Sequence, residues 1–175
     1  MTGLVIGSET PWIEVQALHS GAAMVYTVEY HKIDIVNFTR IKYIHPLELA
    51  EQWKDNTEKF DFVFSFSSIE HSGLGRYGDN IDPIGDLREV HKILCLLKKG
   101  GRFHRLFFVA FPRGEDAIKY NYHRYYGRMR IAMVMAGFEW LATYREDKPY
   151  PILPQREDYE TVDLHRQDLY VLKKL

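Results

Sequence analysis

Three short stretches carry the residue types that do chemistry. The first is Gly7–Ser8, inside GLVIGSETPWIEV (residues 3–15), where an apolar run meets a glycine, a polar turn and a helix start. A glycine there lets the backbone approach a ligand closely, and Ser8 and Thr10 add hydroxyl and N–H donors. A tight strand-to-helix turn that binds nothing fits the same residues. The second is Glu29, 22 residues after Gly7 at the end of another apolar run. An acid about 20 residues beyond such a glycine can accept both ribose hydroxyls of an adenosine; a surface acid at a strand end is the plainer alternative. The third is SSIEHSGLGRYGDNIDP (67–83). Its Glu70 and His71 have the chemistry to orient an acceptor or take its proton, because histidine titrates near neutrality, and Asp79 of the same loop is a third catalytic candidate. His71 bracing the loop explains the residue equally well. His71, Asp79 and Asp82 are also metal-ligand types, but their spacing matches no ligand pattern, so no metal is expected.

These residues need elements to hold them. Residues 3–7 read as a short buried strand. Thr10 followed by Pro11 reads as a hydroxyl cap and first-turn proline of a helix that runs through Leu18. Strands are expected at 24–30, 40–44 and 61–67, with a short helix at 45–53 between the last two. Asp82–Pro83 opens a helix with apolar positions Ile84, Leu87, Val90, Leu94 and Leu97; Lys98 and Lys99 suit its last turn and Gly100–Gly101 end it. A fifth strand lies within 102–111, where Arg102, His104 and Arg105 imply an irregular entry. A helix is expected from about Tyr122 to Ala136, with Tyr125, Met129, Ala132 and Ala136 on one face. Strands at 138–144 and 168–174 follow without a helix between them and are expected to pair antiparallel. Strands alternating with helices imply an α/β fold, a mostly parallel sheet with helices on both faces.

Such a sheet brings its strand-to-helix loops to one edge. Loops 67–82, 112–121 and 145–167 should therefore converge where open α/β sheets bind ligands. The third loop is long and holds three prolines. It reads as a lid over an acceptor, with Ile152 and Leu153 as its apolar tip and Tyr150 and Arg156 in reach; a disordered linker is the alternative. As a lid, 149–158 would be replaceable without loss of stability.

The 175 residues are 46% hydrophobic and 27% charged, the make-up of one globular domain spanning 1–175. A net charge of −1 steers the chain toward neither nucleic acid nor an anionic membrane. The single cysteine, Cys95, fits a reducing compartment, so a cytoplasmic location is favoured. No apolar run reaches the ~20 residues that span a bilayer, and no signal peptide precedes the first strand pattern. That pattern starts at once, so the chain is either a minimal domain or a piece of a longer protein.

The glycine turn lacks G-x-G-x-x-G, so it offers no glycine-lined helix start for a pyrophosphate. That argues against NAD; S-adenosylmethionine carries no phosphate and asks less of the loop. Two further stretches bear a resemblance. DFVFSFSSIEH (61–71) with DLREVHKILCLLKKGGRF (86–103) places Glu70–His71, Leu87, Glu89, Leu94 and Lys98–Gly101 as many small-molecule methyltransferases do. FPRGEDAIKYNYHRYYGRMRIAMVMAGFEWL (111–141) and GSETPWIE (7–14) resemble a Caenorhabditis protein family of unknown function that is methyltransferase-like. The resemblance covers most of the chain. It implies a Rossmann-like methyltransferase sheet in the order 3-2-1-4-5-7-6. It implies S-adenosylmethionine as cofactor, held by Gly7, Ser8, Glu29, Tyr30 and Ser67, and a small-molecule or glycan-like acceptor. A non-catalytic domain that keeps the fold as a binding or scaffold module is the alternative. The chain departs from the methyltransferase pattern where an acid would meet the cofactor's ammonium, which is Val5 here, and where Glu9 and Pro11 replace glycines. Weak cofactor binding is the expected result. The 31–39 connection is also too short for the usual helix.

Overall fold

The computed structural model describes residues 1–100, 105–146, 148–161 and 166–175. The strands are β1 (Thr2–Ile6), β2 (Met24–Val28), β3 (Ile41–Ile44), β4 (Phe62–Phe66), β5 (Leu106–Pro112), β6 (Ala117–Lys119), β7 (His123–Tyr125), β8 (Phe138–Arg145) and β9 (Gln167–Lys174). The helices are α1 (Trp12–His19), α2 (Pro46–Glu51), α3 (Trp53–Asn56), α4 (Gly85–Leu96) and α5 (Arg128–Val134), with single 3-10 turns at Ile69–His71 and Arg156–Tyr159. Seven strands form one sheet in the order β3-β2-β1-β4-β5-β9-β8. Counted along the sheet alone, that is the expected 3-2-1-4-5-7-6. β1 to β5 run parallel, and β9 lies antiparallel between β5 and β8.

The period-2 alternation of β1 builds both cores. Leu4 faces one side with Val63, Phe107 and Val109, under Val90 and Ile93 of α4 and Ile131 and Val134 of α5. Val5 faces the other with Val25, Ile41 and Phe62, under Ile13, Ala17 and Leu18 of α1. Helices thus cover both faces, but unequally. Beyond α1, Phe64 and Phe108 stack on each other at 4.3 Å and stay partly exposed.

Three elements differ from expectation. Thr10 does not cap α1: Pro11 holds the cap position and no side chain bonds the first turn. α4 stops at Leu96, because Leu97 turns extended and bridges to Phe60. Lys98 and Lys99 therefore leave the helix and pair with Asp61 and Glu58. The helix expected from Tyr122 begins only at Arg128. Residues 117–125 form the β6–β7 hairpin instead, and His123 to Tyr126 are buried in succession, which one helical face could not achieve. α5 buries Ile131 and Val134 rather than Met129, Ala132 and Ala136, which are exposed. Its start is capped by a residue distant in sequence: the Asp116 carboxylate accepts from the N–H groups of Gly127 (2.8 Å), Met129 (2.9 Å) and Arg130 (3.1 Å). At the entry to β5, Arg105 adopts φ 91°, an irregularity of the kind expected; Arg102 and His104 lie outside the described residues. Among the described residues no helix is long and apolar enough to cross a membrane.

Candidate active site

The carboxyl ends of β1, β2 and β4 meet at one edge of the sheet. Gly7 leaves β1 with φ +76°, and its N–H donates to the Val28 carbonyl at 3.0 Å. A Cβ on Gly7 would lie 1.9 Å from the Ser68 hydroxyl. Glycine is thus required by the loop after β4, which rests directly on the turn. The buried Ser8 hydroxyl lies 2.7 Å from the Thr10 carbonyl and 3.1 Å from Glu14 Oε2. Glu14 is fully buried, and its Oε1 meets no hydrogen-bond donor among the described residues. An unpaired buried acceptor costs about 1–3 kcal/mol. Sequence reading passed over Glu14, although a signal existed: positions 14, 17 and 18 share the inward helical stripe, and an acid on that stripe is unusual.

Glu29 sits half-buried just past β2. Its Oε1 accepts from the Tyr30 N–H at 2.7 Å, and its carbonyl accepts from the Tyr43 hydroxyl at 2.9 Å. Tyr30 is exposed, with its ring edge-on to His45 at 6.0 Å. Partial burial, then the charges of Glu89, Asp79 and Glu29, raise its hydroxyl pKa. The β2 end therefore lies within electrostatic reach of Glu89 on α4 and of Asp79 in the loop that follows β4.

That loop forms the second half of the edge. A cavity of about 280 Å³ opens there, walled by Ser67, His71, Arg76, Tyr122, His123 and Gln167. Ser67 adopts φ +52°, a left-handed conformation that glycine or asparagine takes more readily. It aims its hydroxyl at Glu70 Oε1, 2.9 Å away, and accepts from Gln167 Nε2 at 3.0 Å. Glu70 is wholly buried and its Oε2 has no donor among the described residues. Burial pushes its pKa up to about 7, against the lowering pull of its own N–H and of Ser67. His71 Nδ1 bonds the Tyr122 carbonyl, which can only accept. The proton therefore sits on Nδ1, and Nε2 faces Glu70 Oε1 at 3.8 Å. Burial lowers the His71 pKa, so the ring is neutral near pH 7. Asp79 takes a different place: its carboxylate accepts from the N–H groups of Gly73 (2.6 Å), Gly75 (3.3 Å) and Tyr77 (3.2 Å), closing the loop on itself. Burial raises the Asp79 pKa and those bonds outweigh it, leaving the carboxyl more acidic than usual. Asp82 pairs with Arg88. Among the described residues no His, Cys, Asp and Glu side chains gather in a set that could hold a metal ion.

A buried arginine fixes the loop. Arg124, on β7, donates to the carbonyls of Glu70 (3.2 Å) and Asp82 (2.9 Å) and also reaches that of Ser72. Its Nε lies 3.4 Å from Asp86, which also pairs with Arg130 and accepts from the Tyr126 hydroxyl at 2.8 Å. The hairpin missed in the sequence is therefore what shapes the cavity. Residues 145–146 and 148–161 lie at the expected edge, but as a pinned strap. Asp168 holds Arg145 through two bonds (2.8 and 2.7 Å) and lies 3.2 Å from Arg113, while Asp158 pairs with both arginines at 3.0 Å. Ile152 bonds the Thr143 carbonyl, and Leu153 and Tyr150 point to solvent. The expectation that 149–158 could be replaced freely does not fit those bonds.

Comparison with known proteins agrees with the fold. The family profile described as Caenorhabditis protein of unknown function, DUF268, matches residues 1–175. No curated protein matches. Among solved structures, the Burkholderia thailandensis 1,6-didemethyltoxoflavin-N1-methyltransferase, with 1,6-didemethyltoxoflavin and S-adenosylhomocysteine bound, superposes with a TM-score of 0.66 at 14% identity, over 99% of this chain and 70% of that one. The N-methyltransferase NodS of Bradyrhizobium japonicum WM9, in complex with S-adenosylhomocysteine, gives 0.61 at 12% identity, over 99% and 77%. The [4+2]-cyclase SpnF gives 0.54 at 14% identity, over 82% and 53%. At such identities the likeness establishes the fold, a Rossmann-like methyltransferase sheet.

Proposed function

We propose that this chain, which belongs to the DUF268 family of unknown function, binds S-adenosylmethionine at the ends of β1 and β2 and methylates a small-molecule or glycan-like acceptor in the cavity beside Ser67 and His71. The observation that carries the reading is the contact of the two half-sites. Ser68 lies on Gly7 and Ser67 walls the cavity, so a group held over the glycine turn adjoins one held in the cavity.

The residues fit the cofactor at two points. The Glu29 carboxylate spends one oxygen on the Tyr30 N–H and keeps the other for ribose hydroxyls. Glu14 Oε1, which meets no donor among the described residues, is an acceptor suited to a cation, and the cofactor's amino group is one. Val5 cannot play that part, being buried in the sheet. Bound there, the cofactor supplies a methyl group on a sulfonium, a transfer that depends on alignment more than on strong acid–base chemistry. Glu70 and His71 stand at the acceptor end, and Asp79 serves by holding their loop in shape. Ser67, expected to hold the cofactor, serves the acceptor end instead, its hydroxyl turned to Glu70, Gln167 and the cavity. The Burkholderia thailandensis enzyme holds 1,6-didemethyltoxoflavin together with S-adenosylhomocysteine, which supports an acceptor of that size.

A second reading has its own support. Ser68 fills the space over Gly7 and Ser8 is bonded internally, so the turn packs without a ligand, as a scaffold domain would. SpnF illustrates that this fold serves other chemistry. Incubating the chain with methyl-tritiated S-adenosylmethionine and a panel of methyl glucoside, catechol and ethanolamine separates the two. Transfer of label to one of them is expected. An unlabelled panel, with no thermal shift at a hundredfold excess over a micromolar dissociation constant, where about 2.7 kcal/mol should be gained, favours the scaffold.

A further inference from the structure

We propose that the proton released by the acceptor leaves the cavity through the Ser67 hydroxyl to the buried Glu70 carboxylate, so that the acceptor is a hydroxyl or amine that must lose a proton to be methylated. The inference rests on the methyl-transfer reading.

The route is built from distances. Ser67 is the only member of the pair that reaches the cavity; Glu70 is completely enclosed. The hydroxyl donates to Glu70 Oε1 at 2.9 Å and accepts from Gln167 Nε2 at 3.0 Å. A hydroxyl has one hydrogen and two lone pairs. One lone pair is therefore left, and it belongs to a cavity-lining atom. The backbone adds a second sign. Ser67 stays in a left-handed conformation that glycine would take at less cost, and strain of that kind gathers where a side chain is used. The receiving end is prepared as well. Glu70 Oε2 has no donor among the described residues, so the carboxyl gains rather than loses by taking up a proton.

The step balances. The acceptor oxygen or nitrogen forms a bond to the methyl carbon as the carbon–sulfur bond breaks, and the sulfonium leaves as a neutral thioether. The acceptor's proton passes to Ser67 Oγ while the serine's own proton passes to Glu70. The carboxylate ends neutral and the serine unchanged.

The charges around Glu70 suit this. His71 and Arg76 of its own loop, Asp86 of α4, and Arg124 and Tyr126 at β7 face it; Gln167 of β9 is uncharged. Asp86 favours the neutral form and Arg76 the charged one. Near neutral pH the group can thus both receive a proton and return it to water. His71 is the competing base. Its Nε2 lies 3.8 Å from Glu70, with no hydrogen bond between them.

Two experiments on the full chain test the route. The carboxyl of Glu70, followed by NMR in protein carrying carbon-13 glutamate, should titrate near neutrality and move upward in Ser67→Gly, because the hydroxyl that steadies the charge is gone. Titration at the ordinary glutamate value, or no movement in Ser67→Gly, overturns the route. With tritiated S-adenosylmethionine and the acceptor panel above, Ser67→Gly and Glu70→Gln should each lower kcat about a hundredfold. S-adenosylhomocysteine affinity should be retained and the rise in rate around pH 7 lost. Ser67→Gly should unfold no earlier than the parent. Unchanged kcat in either variant, or collapse of the rate only in His71→Gln, overturns the relay while leaving methyl transfer standing. If S-adenosylhomocysteine does not bind and no label transfers, the methyl-transfer reading falls and the relay with it.

Discussion

Glu70 makes stability depend on pH as well as serving the cavity. Its folded pKa of about 7 lies above the usual glutamate value, so the native state holds a proton that the unfolded chain has already released between about pH 4.5 and 7. Stability therefore falls as pH rises through that window. Glu70→Gln removes the loss, and its advantage over the parent should grow from near zero at pH 4.5 to about 3 kcal/mol at pH 8, measured by urea unfolding. An advantage that does not change with pH would contradict the burial of this group. At the other half-site, Glu29→Ala should weaken S-adenosylhomocysteine by about tenfold or more, since hydrogen bonds to a charged group are worth about 1.5–3 kcal/mol. Glu29 and Glu70 were legible as candidates because each follows a strand at a telling place. Glu14 was legible only as an acid on the inward stripe of α1; that its Oε1 meets no donor among the described residues is something no local pattern records. Weak binding is what Val5 implies, and an ammonium held by Glu14 would offset it. Glu14→Gln, which keeps the Ser8 bond, should lose affinity for S-adenosylhomocysteine but not for methylthioadenosine, which lacks the amino acid portion.

At the scale of elements, the strap and the hairpin decide the shape of the cavity. Arg113 and Arg145 both lean on Asp168, which is wholly buried. Asp168→Ala leaves two largely buried guanidinium groups short of a partner and should cost about 3–5 kcal/mol. That corresponds to a fall in Tm on the order of 10 °C; a fall of only a degree or two would show that the strap is not held by these pairs. The β-strands of the main sheet were legible because each is a compact apolar run bounded by turn residues. The β6–β7 hairpin was not. Its tyrosines have helical spacing, and what makes them strand is long-range: Arg124 bonds carbonyls of residues 70 and 82, and Asp116 holds back the start of α5 until Arg128. The end of α4 was misread for a similar reason. Two glycines and two lysines make a good local stop, but the pull of Phe60 on Leu97 ends the helix earlier.

For the whole molecule, the alternation of strands and helices sufficed to anticipate a mostly parallel sheet, and the lack of a helix between the last two strands their antiparallel pairing; the seven-stranded order was implied by the methyltransferase resemblance and is the order found. The alternation also anticipated the edge at which the loops converge, since every parallel strand delivers its loop there. The same winding that joins Gly7 to Ser68 places the cofactor end beside the acceptor cavity, and the account depends on that junction. The most direct test is calorimetric titration of the folded chain with S-adenosylhomocysteine at neutral pH. The account predicts saturable binding of one ligand per chain, abolished or much weakened in Glu29→Ala and retained in Ser67→Gly. A flat titration at millimolar ligand, from protein shown to be folded by its thermal transition, would contradict it.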